Sequence, residues 1–145
     1  MPDDGFVHSH EGRRGHVKVE KILDYFTEHN GVRYAGKHLL IDFWGARVLT
    51  DADAITQALR SAAEAADATI LHSHVHHFGQ GSGVSGVLVL AESHISIHTW
   101  PEQELAAIDI FMCGACDPRK ALERLRQIFA PKTMEVIEHR RGQQP

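Results

Sequence analysis

Within one stretch of this 145-residue chain stand a hydroxyl, a carboxylate, an imidazole and a thiol that together could rearrange a peptide bond: Ser85, Glu92, Ser93, His98, Glu102 and Cys113. At the centre is the run Glu92–Glu102, ESHISIHTWPE, which sets a Glu-Ser bond in strand-like sequence with a histidine five residues on. A serine hydroxyl can attack the carbonyl of the residue before it and turn that amide into an ester. Taken singly, each residue has an ordinary explanation, since a serine in a strand is usually a tolerated small polar residue. The joint pattern carries the weight.

Other groups suggest rival chemistry. Cys113-Gly-Ala-Cys116 sits between a strand and a helix, where a thiol-redox pair would sit. Against that reading, the chain has no early βαβ unit ahead of the motif and no aromatic residue just before Cys113. His72, His74 and His76 share one face of a strand, with His77 beside them, so a metal site is conceivable. Three side chains spaced along one straight strand span about 13 Å and cannot all reach one ion, which favours polar strand residues and no metal. The glycine-rich GQGSG at 79–83 lacks the Lys-Ser/Thr of a phosphate loop and joins two strands.

The wider run GVSGVLVLAESHISIHTWPE at 83–102, followed by AAIDIFMCG at 106–114, resembles the small prokaryotic S-adenosylmethionine decarboxylases. The resemblance covers about residues 36 to 142. Loss of carbon dioxide from an amino acid leaves a carbanion, so such an enzyme needs an electron sink on the amine. The resemblance implies that Ser93 supplies it by attacking the carbonyl of Glu92, with elimination and hydrolysis leaving a pyruvoyl group. The chain is then cut into residues 1–92 and 93–145. By the same match His98 is the base in processing, Ser85 assists it, and Cys113 reprotonates the product. Phe78 stacks on the adenine and Glu102 holds the ribose hydroxyls of S-adenosylmethionine, whose decarboxylated form is the aminopropyl donor for spermidine. Two departures from the family pattern, a loop one residue longer at GQGSG and the run Gln103-Glu104-Leu105, keep arginine or ornithine as runner-up substrates.

Strand geometry adds a constraint. A hairpin turning at 101–104 sets Ser93 opposite Met112 or Cys113, within about 5 Å. Ser93 and His98 fare differently: five residues of extended chain span roughly 16 Å, and their odd separation puts them on opposite faces. Proton abstraction needs about 3 Å. Either the chain turns sharply near Ser93 or the histidine comes from a second copy. The resemblance implies a homodimer, with Ser93 and Cys113 from one protomer and Ser85 and His98 from its partner.

The elements that must hold these groups follow from periodicity. Residues 1–15 are polar and aperiodic and read as a mobile arm; 16–142 read as one domain. Val17–His29 has apolar residues at helical spacing. Strands are expected at His38–Trp44, Thr69–Phe78, Val84–Ala91, Ile95–Trp100, Leu105–Cys113 and Thr133–His139. Asp51 opens a helix to about Ala66, and Asp117-Pro118 opens another to about Phe129. This order predicts an α+β two-layer sandwich, a mostly antiparallel sheet with helices on one face. A net charge of -4 leaves no basic footprint for nucleic acid. No apolar run is long enough to span a membrane, no secretory signal opens the chain, and two cysteines suit the cytoplasm.

Overall fold

The computed structural model describes residues 24–145, so the expected arm at 1–15 and the first part of the expected helix at Val17–His29 lie outside the described residues. Where that expected helix is described it is a strand. Thr27–His29 (β1) pairs antiparallel with Val32–Tyr34 (β2) across the two-residue turn Asn30-Gly31. Both turn residues have positive φ, 52° and 78°, the backbone of a type I′ hairpin, for which Asn-Gly is the favoured pair. The turn chemistry of Asn30-Gly31 overrides the apolar spacing before it.

The remaining elements come in the expected order. They are β3 (Gly36–Trp44), α1 (Ala52–Ala65), β4 (Ile70–His77), β5 (Val84–Leu90), β6 (Ser93–Trp100), β7 (Leu105–Cys113), α2 (Pro118–Phe129) and β8 (Thr133–Arg141). Strands β3 to β8 form one six-stranded sheet in the order β4-β5-β6-β7-β3-β8, with every pairing antiparallel. Two helices on one side of an antiparallel sheet make the α+β sandwich that the patterning predicts. No helix among the described residues is long and apolar enough to cross a membrane.

Both helices start where a side chain can take over an orphan backbone donor. Asp51 accepts from the amide of Ala54 at 3.0 Å, and Asp117 accepts from the amide of Arg119 at 2.9 Å with Pro118 at the first helical position. Their inward stripes, Ile55, Leu59 and Ala62 on α1 and Leu122, Leu125 and Phe129 on α2, are buried against Leu39, Ile41 and Phe43 of β3 and Ile108 and Ile110 of β7. Each large side chain so buried stabilises the fold by about 1.5–3 kcal/mol before ordering costs. Among the described residues, no helix lies on the sheet's other face. That open face exposes Leu40, Trp44, Val87, Val89, Trp100 and Ile137.

Candidate active site

Strand β6 carries both halves of the candidate chemistry, and its alternation separates them. Ser93, Ile95, Ile97 and Thr99 are buried toward the helices, whereas His94, Ser96 and His98 project from the open face. The strand runs unbroken from Ser93 to Trp100, so no sharp turn brings His98 back to Ser93. Within one chain the two side chains lie on opposite faces and about 16 Å apart along the strand.

At the first end, β5 and β6 are joined by the two-residue turn Ala91-Glu92, with Leu90 paired to Ser93. Glu92 has φ 59°, a left-handed conformation that costs a non-glycine residue about 1–2 kcal/mol. The β6–β7 register has His94 opposite Phe111 and Ser96 opposite Asp109, which sets Ser93 level with Met112. The Ser93 hydroxyl oxygen accepts from the backbone amide of Cys113 at 3.1 Å. Burial, then the nearby Glu92 carboxylate, then Cys116 push the Cys113 thiol above its ordinary value. Cys116 is raised too, by burial and then by Asp67 and Glu92. Both are free thiols. Thiols held protonated suit proton donation and oppose the low-pKa thiolate that a redox pair requires.

At the other end, Ser85 of β5 stands opposite His98, and its Oγ lies 2.7 Å from His98 Nδ1. A cleft of about 530 Å³ there is lined by Phe78, Ser85, His98, Trp100 and Glu102, so four of the residues singled out from sequence share one concavity. Gly83 lets the preceding loop settle onto β6, for a Cβ built there would lie 2.0 Å from the Thr99 carbonyl oxygen. Thr99 Oγ1 accepts from the Val84 amide at 2.9 Å and donates to the Leu49 carbonyl at 2.7 Å, which ties the start of β5 to β6 just beside Ser85. The Trp100 ring lies 6.1 Å from the His98 ring, both on the open face. Sequence reading passed over Trp100, although its even spacing from His98 puts it on the same side.

Between these ends is a polar network that sequence reading also missed. Asp109 Oδ2 lies 2.6 Å from His38 Nε2 and 2.9 Å from His94 Nε2, while Ser96 donates to Oδ1. These two histidines and Asp109 offer donor atoms within 4.8 Å of one another, the spacing of a possible metal cluster. Arg141 donates to His38 Nδ1 at 3.1 Å, which puts the imidazole proton on Nε2, where it is given to Asp109. Both ring nitrogens of His38 are thus occupied and a guanidinium stands beside them, so the arrangement is a hydrogen-bond network. The histidines suspected from sequence, His72, His74 and His76, run exposed along the edge strand β4 and gather at no such centre. The hairpin register that sets Ser93 level with Met112 also sets Ser96 opposite Asp109, so that one pair of the network was implicit in it.

The family model for S-adenosylmethionine decarboxylase matches residues 37–142, which takes in both ends of the site. The chain belongs to the S-adenosylmethionine decarboxylase family. The S-adenosylmethionine decarboxylase proenzyme of Thermomicrobium roseum is 41% identical over 108 residues, covering 74% of this chain and 93% of that protein. The proenzyme of Thermotoga petrophila is 46% identical over 110 residues, covering 74% of this chain and 84% of its own length. Among solved structures, the adenosylmethionine decarboxylase of Aquifex aeolicus superposes with a TM-score of 0.69 at 36% identity, over 75% of this chain and 92% of that one.

Proposed function

We propose that this protein is a self-processing decarboxylase of S-adenosylmethionine whose two active sites are each shared between two copies of the chain. The observation that carries this reading is the division of the site along β6, with Ser93 beside the backbone of Cys113 at one end and Ser85 and His98 at the other, Ser93 and His98 on opposite faces. Two copies related by a twofold axis would bring the Ser85–His98 end of one to the Ser93–Cys113 end of the other, twice over. The open, partly apolar sheet face suits such contact.

In processing, the Ser93 hydroxyl would attack the carbonyl of Glu92 and displace the amide nitrogen to give an ester; loss of the Ser93 α proton would then expel the Glu92 carboxylate, and water would convert the resulting dehydroalanine to the pyruvoyl group with release of ammonia. Two features favour the attack: the left-handed backbone at Glu92 stores strain that the cut releases, and the Ser93 oxygen is already held by the Cys113 amide. Ser85, by accepting from Nδ1–H of His98 in its own chain, would leave Nε2 of that imidazole as the base that takes the α proton of Ser93 in the other copy. The residues fit a pyruvoyl group because its precursor is already in place. Once formed, that group supplies the electron sink that decarboxylation needs. Phe78 would stack on the adenine, Glu102 would accept from the ribose hydroxyls, and Cys113, held as a thiol, would return a proton to the α carbon. The product would serve as aminopropyl donor for spermidine. The free thiols Cys113 and Cys116 suit a reducing compartment, and we assign the cytoplasm on that ground.

Intact mass under denaturing conditions tests the first half. Two pieces, 1–92 and 93–145, are expected from the native chain and one piece from Ser93→Ala; a native chain that stays whole on long incubation ends the reading. Carbon dioxide release from S-adenosylmethionine, and not from arginine or ornithine, is expected of the processed protein. Co-expression of Ser93→Ala with His98→Ala tests the sharing. Cleavage of the His98→Ala chain in the mixture is expected, and its absence would assign the site to one chain.

A further inference from the structure

One histidine beside the cleft has no part in the steps above. His76 lies in β4 two residues before Phe78, so the two side chains leave the same face of the sheet. Their rings meet edge to face, with centroids 4.8 Å apart and planes at 74°. His76 also stands directly opposite Ser85, which stands opposite His98, so one rung of the sheet runs His76, Ser85, His98. The Ser85 hydroxyl is engaged with His98 at 2.7 Å, and among the described residues no hydrogen bond links it to His76. The contact that His76 does make is with Phe78.

Phe78 needs such a neighbour. It is 62% exposed and stands where β4 gives way to the loop 79–83, in which Gly79 and Gly81 have positive φ. A ring so exposed, at the edge of a glycine-rich loop, samples several rotamers unless something fixes it. Among the described residues its one aromatic contact is the T-shaped one with the His76 ring. Stacking on a flat heteroaromatic base requires one ring orientation, and ordering it beforehand lowers the entropy lost on binding.

We propose that His76 is a positioning residue for substrate binding, whose imidazole ring, packed T-shaped against Phe78, holds the Phe78 ring in the orientation that stacks on the substrate's purine. This rests on the reading of Phe78 given above. The role is separate from processing, because the ring contact of His76 is with Phe78 and, among the described residues, no hydrogen bond joins it to the Ser85–His98 pair.

The test is a set of kinetic constants for S-adenosylmethionine, measured on self-cleaved protein carrying His76→Ala, His76→Phe or His76→Gln, in the native and Phe78→Ala backgrounds. An edge-to-face aromatic pair is worth enough that His76→Ala should raise KM about three- to tenfold. The turnover number should change less than about twofold, because the lost interaction acts on binding. Self-cleavage of His76→Ala, read by mass, should be unimpaired. His76→Phe, which keeps a ring edge, should restore KM, and His76→Gln should not. With Phe78 replaced by alanine, His76→Ala should add nothing. An unchanged KM, rescue by Gln but not by Phe, an equal effect without Phe78, or lost self-cleavage in His76→Ala would each overturn the assignment. If the native chain neither cuts itself nor consumes S-adenosylmethionine, it is the underlying reading that fails, and the two failures are told apart by that control.

Discussion

On the helix side of the sheet, β6 and β7 contribute Ile95, Ile97, Ile108, Ile110 and Met112, all buried; on the open side the same two strands contribute His94, Ser96, His98, Asp109 and Phe111. The backbones are shared and the pairings identical, so strand propensity cannot explain the contrast. The helix side is closed within one chain by α1 and α2 and must exclude water. The open side keeps titratable groups at hydrogen-bonding distance from one another, as around Asp109, where two imidazoles and a hydroxyl converge on one carboxylate. It also retains Leu40, Val87, Val89 and Ile137 at the surface, which burial by a second copy would remove from water. The contrast teaches that one face makes the monomer stable and the other carries the exposed polar groups of the site, with Ser93 alone turned toward the helix side.

Placing the same charge on each face is the sharpest way to break this comparison. Ile97→Asp buries a carboxylate among Ile95, Ile108 and the helices and should cost more than about 4 kcal/mol, enough to leave little folded protein by circular dichroism. Leu40→Asp, on the open face, should leave the monomer's melting within a few degrees while weakening self-association in sedimentation experiments. Equal losses from the two would remove the distinction between faces.

Next in size is His98→Ala. Loss of a general base should slow self-cleavage by about a hundredfold or more, with the melting temperature nearly unchanged because the side chain is exposed. Self-cleavage at the native rate would exclude His98 as the base.

Cys113 gives a pH test. Its thiol is held above the ordinary value, and the neutral form is the proton donor, so turnover should persist through neutral pH and fall only as alkali takes the pH past that raised value. A decline in turnover below the ordinary cysteine range, traced to Cys113 by its absence in Cys113→Ser, would contradict this. The smallest effect is expected at a helix start, where Asp51→Ala should cost about 1 kcal/mol, read by urea unfolding, with no change in self-cleavage.

Much of the sheet was legible because its central strands β6 and β7 alternate strictly. The β6–β7 hairpin has a fixed turn, and once the turn is placed at 101–104 the whole register follows, Ser93 level with Met112 included. The capped helices were legible for a similar local reason, since Asp51 and Asp117-Pro118 satisfy their own first turns. The segment before β3 was misread. Its apolar spacing suggested a helix reaching His29, while Asn30-Gly31 dictated a hairpin that takes Thr27–His29 into a strand. The Asp109 network was overlooked because its members come from β3, β6, β7 and β8, and a histidine in a strand looks the same in sequence whether or not an acid from another strand faces it.

The sequence by itself determined the strand and helix order, the family, and the odd separation of Ser93 from His98, because each of these depends on residue types at short, fixed spacing. Tertiary structure alone decided that β3 inserts between β7 and β8, which brings His38 and Arg141 to Asp109. It likewise decided that Phe78, Ser85, His98, Trp100 and Glu102 share one cleft, and that His76 meets the ring of Phe78. Neighbours across a sheet are set by strand order and register, and those are fixed only when the helices close one face and every backbone donor finds its partner.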